Sequence, residues 1–242
     1  LAERLLIRGI VGEKYFRRAA TMRTINIIVE GPTEEEFVNN SISPYLNGFG
    51  IINAVPIPLE TSPGYYGGDI TYARYRDYAD KLLVSDPNCI VTSLIDFYEL
   101  RKDFPGYTAA LALPYRIDSV QLIEQEISND FNNTRLVPYI QLHEFEGLLF
   151  SDIKGFQTYF PKIVNHAQYI INQYPNPEMI NDGPATAPSV RMKEIFTKIP
   201  KRYIKPFHGP MIALENGITP VLAKCPRFKN WIETIILKAT TP

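Results

Sequence analysis

Cysteine is almost missing from this 242-residue sequence: Cys89 and Cys225 are the whole supply, and they form no CxxC pair. That excludes a disulfide framework and a cysteine-rich zinc site, and it leaves two small buried hydrophobes suited to a reducing, cytoplasmic compartment. Long apolar runs are missing too. A membrane span needs roughly 18 or more continuous apolar residues, but the most apolar stretch, residues 136–150, contains Gln141, His143, Glu144 and Glu146. No membrane partner is expected. Neither sign of charge dominates, with 25 Lys and Arg against 26 Asp and Glu, so no global field points to a polyanion. GxxxxGK[ST] and GxGxxG are both absent, which removes the fingerprints of the usual nucleotide folds, and no repeat of solenoid period occurs.

What is present is a 45% hydrophobic chain, ample for one substantial α/β domain. Residues 1–21 are basic and somewhat amphipathic but lack the uncharged core and cleavage pattern of a secretory signal. Met22 stands just before the first strong strand, so these residues read as an N-terminal extension of unassigned role. Residues 24–30 (TINIIVE) are β-branched and apolar and read as a buried strand. Gly31-Pro32 then turns the chain into a helix, with Thr33 as the expected N-cap and Glu36 as its capping-box partner. Further strands are expected at 51–58, 89–96 and 136–142, with a helix from 70 to 83 and another carrying Val120, Ile123 and Ile127. Gly67-Gly68 marks a tight loop between the second strand and that first helix. Strands separated by helices imply a parallel sheet with helices on both faces. Beyond residue 155 the pattern is helical, with short helices at 191–198, 207–215, 219–223 and 227–238.

Active groups in such sheets gather beyond the carboxyl ends of the strands. Glu30, Asp96 and the pair His143-Glu144 all stand at expected strand ends, Glu34 in the first helical turn after Glu30, and Glu146 just past Glu144. Carboxylates far apart in sequence but adjacent across parallel strands can hold a hard cation such as Mg²⁺ or Mn²⁺, with water and a substrate phosphate completing its shell. Acidic residues are also ordinary in helix first turns, and His143 reads equally as ligand, base or hydrogen-bonded histidine. The second half carries a basic run: Arg191, Lys193, Lys198, Lys201, Arg202 and Lys205, against the single acid Glu194.

Glu30-Gly31-Pro32-Thr33-Glu34 resembles the EGxTE-like string of Toprim domains, and Asp96-Phe97-Tyr98 resembles their DxD with its second aspartate replaced. DFYELRKDFPG at 96–106, HEFEGLLFSD at 143–152, APSVR at 187–191, YIKPFHG at 203–209 and CPRFKNW at 225–231 together resemble a narrower bacterial group, the DUF4276 family of Toprim-like proteins. The resemblance implies a Toprim-like domain over residues 22–155, with the helical region 156–242 completing the same family domain. It further implies a Mg²⁺- or Mn²⁺-dependent endonuclease acting on DNA or RNA, transfer RNA included. Glu30, Glu34 and Asp96 would be catalytic, and the metal ligands would come from Glu30, Glu34, Asp96, Glu144 and Glu146. A phenol at Tyr98 does not replace a carboxylate at neutral pH, so Glu144 or Glu146 would compensate. Arg191, Lys193, Lys201, Arg202 and Lys205 would bind substrate phosphates while Tyr203 or Trp231 stacks on bases. The family is similar to nuclease-like toxic effectors of anti-phage systems held in check by an ABC-type AAA ATPase, which is the partner the resemblance implies; a homodimer is left open. The competing reading is a catalytically weak Toprim fold serving as a binding or regulatory subunit of such an ATPase complex.

Overall fold

Two strands are buried along their whole length, which is why INIIV and IVTSLID show no polar alternation. In the computed structural model, described for residues 23–241 except 63–64, 67–69, 182 and 184, these are β1 (Ile25–Val29) and a later strand beside it. The extension 1–21 and the Gly67-Gly68 step lie outside the described residues. From β1 the chain enters α1 (Pro32–Phe37), passes through a π turn (Val38–Ile42) into α2 (Ser43–Asn47), and returns as β2 (Ala54–Pro58). A short ribbon of β3 (Glu60–Ser62) and β4 (Tyr65–Tyr66) leads to α3 (Tyr72–Ser85) and then β5 (Ile90–Asp96). After α4 (Tyr107–Leu111) and α5 (Arg116–Phe131) come β6 (Leu136–Val137) and β7 (Ile140–Gln141).

The main sheet is parallel throughout, in the order β2-β1-β5-β6, with β7 continuing along β5. Ile25 faces Ala54 and Ile90 across β1, Val29 faces Leu94, and Asp96 faces Gln141. This register carries Glu30 and Asp96 out of the same sheet edge. One apolar cluster, with Tyr75, Ala79, Ile123 and Ile127, covers one face; another, with Phe37, Ile42, Phe145, Phe228 and Trp231, covers the other. The expected α/β architecture with helices on both faces is therefore present.

Two local expectations are corrected. Residues 136–142 are not one strand, because Pro138 has no N–H for the ladder. The Ser93 hydroxyl fills the break, donating to the Tyr139 carbonyl and accepting from its N–H, both at 3.1 Å. Thr33 is not the cap of α1. Pro32 pre-sets helical φ without losing a needed donor, so the cap falls two residues earlier, with Gly31 at the N-cap position and no capping side chain. Glu36 instead accepts from Asn40 Nδ2 at 2.6 Å.

The helical second half is built onto the sheet rather than beside it. A 3₁₀ segment (Phe145–Ser151) is followed by α6 (Lys154–Tyr159), α7 (Val164–Gln173), α8 (Pro188–Phe196), α9 (Lys205–Asn216), α10 (Ile218–Lys224) and α11 (Pro226–Thr240). Glu178 accepts from the N–H groups of Arg227 and Phe228, both at 3.0 Å, and so closes the start of α11 from a distant segment. Arg227 pairs with Glu124 of α5 at 2.7 Å and lies over the Tyr139 ring. Cys89 and Cys225 are buried free thiols. No described helix is long and apolar enough to cross a membrane.

Gly155 and Gly209 set the position of α9. Thr33 Cγ2 would stand 3.2 Å from a Cβ on Gly209, so α1 and α9 approach closely there. A Cβ on Gly155 would meet the Ile212 carbonyl oxygen at 2.6 Å and Ile212 Cα at 2.9 Å, which are backbone atoms that cannot rotate away. The Gly155→Ala substitution is therefore expected to cost about 1–3 kcal/mol as an overpacked contact. Thermal melting checks it: a variant as stable as the wild type would show that the two helices are not in tight contact.

Candidate active site

The sheet edge from which Glu30 and Asp96 emerge faces the start of α9, and four acids converge there on one cation. Lys205 Nζ lies 3.3 Å from Glu34 Oε1, 3.3 Å from Asp96 Oδ2 and 3.3 Å from Glu146 Oε2. The side chains of Glu34, Asp96 and Glu146 are only 3%, 7% and 1% exposed, whereas Lys205 is one-third exposed, so the cluster is closed below and open along the lysine. Glu30 joins from the side, its Oε2 accepting the Asp96 N–H at 3.3 Å. Asp96 is fixed further by its Oδ1, which accepts the Phe145 N–H at 2.8 Å and so closes the start of the 3₁₀ segment that carries Glu146. Tyr203 reaches Glu146 Oε1 at 3.5 Å.

Burial of this many like charges changes their ionisation. Loss of solvent, together with the Glu34 and Glu146 charges, raises Glu30 to about 7 against the pull of Lys205 and the Asp96 N–H. Desolvation likewise pushes Asp96 well up, with Lys205 opposing and Glu30, Glu34 and Glu146 adding to the rise. Glu146 moves upward for the same leading reason. Burial alone would depress the Lys205 ammonium, but Asp96, Glu34, Glu146 and Glu30 outweigh it and hold the charge well past the usual lysine range. Two oxygens, Glu34 Oε1 and Glu146 Oε2, are buried without a hydrogen bond, each 3.3 Å from Lys205 Nζ.

Glu144 does not point into this cluster. Its Oε2 accepts the Ser189 N–H at 2.7 Å and its Oε1 the Ser189 hydroxyl at 2.8 Å, so it closes the start of α8. His143 has φ of 69°, and Glu99 on the neighbouring exit loop has φ of 62°. Both are strained positions for non-glycine residues, and the two loops are tied by the Tyr98 N–H donating to the His143 carbonyl at 2.8 Å. The His143 ring Nδ1 lies 3.0 Å from Asn181 Nδ2. Tyr98 itself is 37% exposed.

The basic run divides. Lys205 faces the acids. Arg191 donates to the Thr186 carbonyl and the Tyr174 hydroxyl and covers the Tyr174 ring; Lys201 lies 5.7 Å from the Phe160 ring centroid; Lys193 and Arg202 are exposed. The expectation that Tyr203 or Trp231 stacks on bases is corrected, since both rings are buried at 6% and 4% exposure. The place of Lys205 at the centre of the acids, and the anchoring of Glu144 by Ser189, had no local signal in the sequence. The lysine lies 109 residues from Asp96 and looked like one member of a surface run.

The molecule is thus a parallel-sheet α/β protein with a buried carboxylate–lysine cluster at the carboxyl edge of its sheet. The model of the family described as Domain of unknown function (DUF4276) matches residues 29–236, and the chain belongs to that family. That span includes every member of the cluster from Glu30 to Lys205. No curated protein and no solved structure matches the chain.

The donor set suits a hard cation in chemistry. It consists of carboxylate oxygens, some buried and without hydrogen bonds, at a strand-end edge. The spacing is lysine-sized: oxygens 3.3 Å from Nζ surround an ammonium, while Mg²⁺ takes oxygens at about 2.0–2.1 Å. Among the described residues no group of three or more His, Cys, Asp or Glu side chains is arranged to hold a metal ion. The same acids would have to draw in by about 1 Å to take one, the difference between these spacings.

Proposed function

We propose that this chain is a metal-dependent endonuclease of Toprim-like fold that hydrolyses phosphodiesters of DNA or RNA. The observation that carries the reading is the convergence of Glu30, Glu34, Asp96 and Glu146, from three separate stretches of chain, on one partly open spot. Glu30, Asp96 and Glu146, buried and with raised proton affinity beside a lysine ammonium, form an arrangement that structural ion pairs alone seldom assemble. Glu34, Asp96 and Glu146 would hold Mg²⁺ or Mn²⁺, which when bound supplies charge for the phosphoryl oxygens and a more acidic water. Glu30, poised near neutrality, is suited to take or return a proton. Lys205 brings positive charge to the centre of the acids, and the exposed Lys193 and Arg202 add cations farther along the chain. As in the systems that the sequence resembles, the proposed role is that of a toxic anti-phage effector restrained by an ABC-type AAA ATPase in the cytoplasm.

The test is incubation of the purified protein, alone and with a candidate ATPase partner, with DNA and transfer RNA in Mg²⁺, in Mn²⁺ and in chelator. Cleavage in metal that chelator abolishes is the expected result. Intact substrates under every condition would favour the second reading, a non-catalytic subunit. That reading has an observation of its own in the lysine-sized spacing of the acids and in Tyr98 standing where a second aspartate would be.

A further inference from the structure

We propose that the Lys205 ammonium is a resident counterion occupying the seat of the divalent cation, so that metal binding requires this side chain to leave. The inference rests on the metal-site reading above and deepens it. Three observations carry it. The Nζ contacts are equal, 3.3 Å to Glu34, Asp96 and Glu146, so the ammonium sits centrally instead of pairing tightly with one carboxylate. Charge-assisted N–H···O contacts close to about 2.7–2.9 Å when geometry allows, so each of these three is loose. Moreover, Glu34 Oε1 and Glu146 Oε2 are buried and have no hydrogen bond, so no other group satisfies them once the lysine is withdrawn.

The lysine also has a way out. Its side chain is one-third exposed while the three acids are almost completely covered, and its four-carbon stem lets the charged head swing to water without moving the backbone. Lys205 is the first residue of α9, and Ile204 and Phe207 beside it are exposed, so nothing in the helix packing depends on its head group. The acids, by contrast, are held from behind: Asp96 by the Phe145 N–H, Glu146 by the fully buried 3₁₀ segment, Glu34 by the buried first turn of α1. The backbone that carries the acids stays, the cation is exchangeable, and the carboxylates close in by about 1 Å when a divalent ion takes the place of the ammonium. A divalent ion at the centre would share its seat with the Lys205 charge if that side chain remained, and at about 4 Å like charges repel strongly in a partly buried site.

The test measures metal binding, not cleavage. Isothermal titration with Mn²⁺ is run on the full chain and on Lys205→Met, which keeps the stem and removes the charge, with circular dichroism and thermal melting confirming the fold. The variant should bind Mn²⁺ at least tenfold more tightly than the wild type. Should Lys205→Met fail to fold, the wild type alone decides through amine methylation read by mass spectrometry. Lys205 should be modified slowly without metal and several-fold faster in saturating Mn²⁺, with exposed Lys193 unchanged. Equal or weaker Mn²⁺ binding by Lys205→Met, or a Lys205 methylation rate that stays level or falls on adding Mn²⁺, overturns the exchange while leaving a metal-dependent nuclease intact. If neither protein binds Mn²⁺, the exchange and the metal-site reading fail together, which separates the two failures.

Discussion

Glu30→Gln should lower the proposed Mg²⁺-dependent cleavage by roughly 10²–10⁴-fold, the range expected for loss of a positioned acid–base group, while the protein remains folded. The substitution keeps the shape of the side chain and an acceptor for the Asp96 N–H, so the geometry around β5 is retained. The same variant tests the electrostatics independently of activity. Glu30 is held near 7 in the folded protein by burial and by Glu34, against 4.5 ordinarily. Between those values unfolding releases a proton, so rising pH favours the unfolded chain; stability conferred by the protonated carboxyl is complete below about 4.5 and lost as pH rises through about 7. A glutamine does not ionise and escapes that loss. Melting curves of the two proteins should nearly coincide at pH 5 and separate by pH 8, with the variant higher by on the order of 2–6 °C for a chain this size. A gap independent of pH would show that Glu30 is not the group that titrates. Unchanged cleavage would remove it from the chemistry.

Trp231→Ala should be the most damaging change outside the cluster, at about 3–5 kcal/mol, or roughly 6–20 °C in melting temperature. The indole lies flat on Tyr139, with ring centroids 4.4 Å apart and planes 9° from parallel, and its edge is capped by Phe228 at 5.3 Å. Its Nε1–H donates to Thr92 Oγ1 at 2.7 Å, and that hydroxyl donates to the Val137 carbonyl at 2.5 Å. Alanine removes a large buried ring and leaves Thr92 without its donor. Trp231→Phe keeps the stack and loses chiefly the hydrogen bond, at about 1 kcal/mol. A Trp231→Ala protein that melts like the wild type but binds nucleic acid poorly would reverse the assignment and make this ring a base-stacking platform after all.

The sheet was legible because its signals are local and of period two or none. Apolar runs ending in Glu30 and Asp96, each followed by a turn and a helical pattern, suffice to place two strands and their exits. Pro138 was visible in the sequence, yet its effect was not, because Ser93 compensates from 46 residues away. Thr33 shows a similar limit: Thr-x-x-Glu has the form of a capping box, but Pro32 and the close approach of Gly209 make Thr33 an internal packing residue. Of the site, the acids at strand ends were readable and their fates were not. Glu144 and Glu146 are two residues apart and chemically alike, yet one closes α8 through Ser189 and the other faces Lys205. That choice is made by the 3₁₀ segment, whose turn is set by Asp96 accepting the Phe145 N–H. Lys205 could not be singled out among six basic residues, since what distinguishes it is a contact across the whole fold.

The borrowed closures of α8 and α11 bear on how this protein can be divided. Neither helix opens with a capping side chain of its own; Glu144 and Glu178 supply the acceptors, and Glu144 lies before the 3₁₀ segment while Ser189 lies well after it. A gene cut between sheet and helices would part Ser189 at the start of α8 from its acceptor Glu144, and Arg227 of α11 from Glu124. Tags and fusions therefore belong outside the span from β1 to α11, and a protein split between Glu144 and Ser189 is expected to lose the closure of α8.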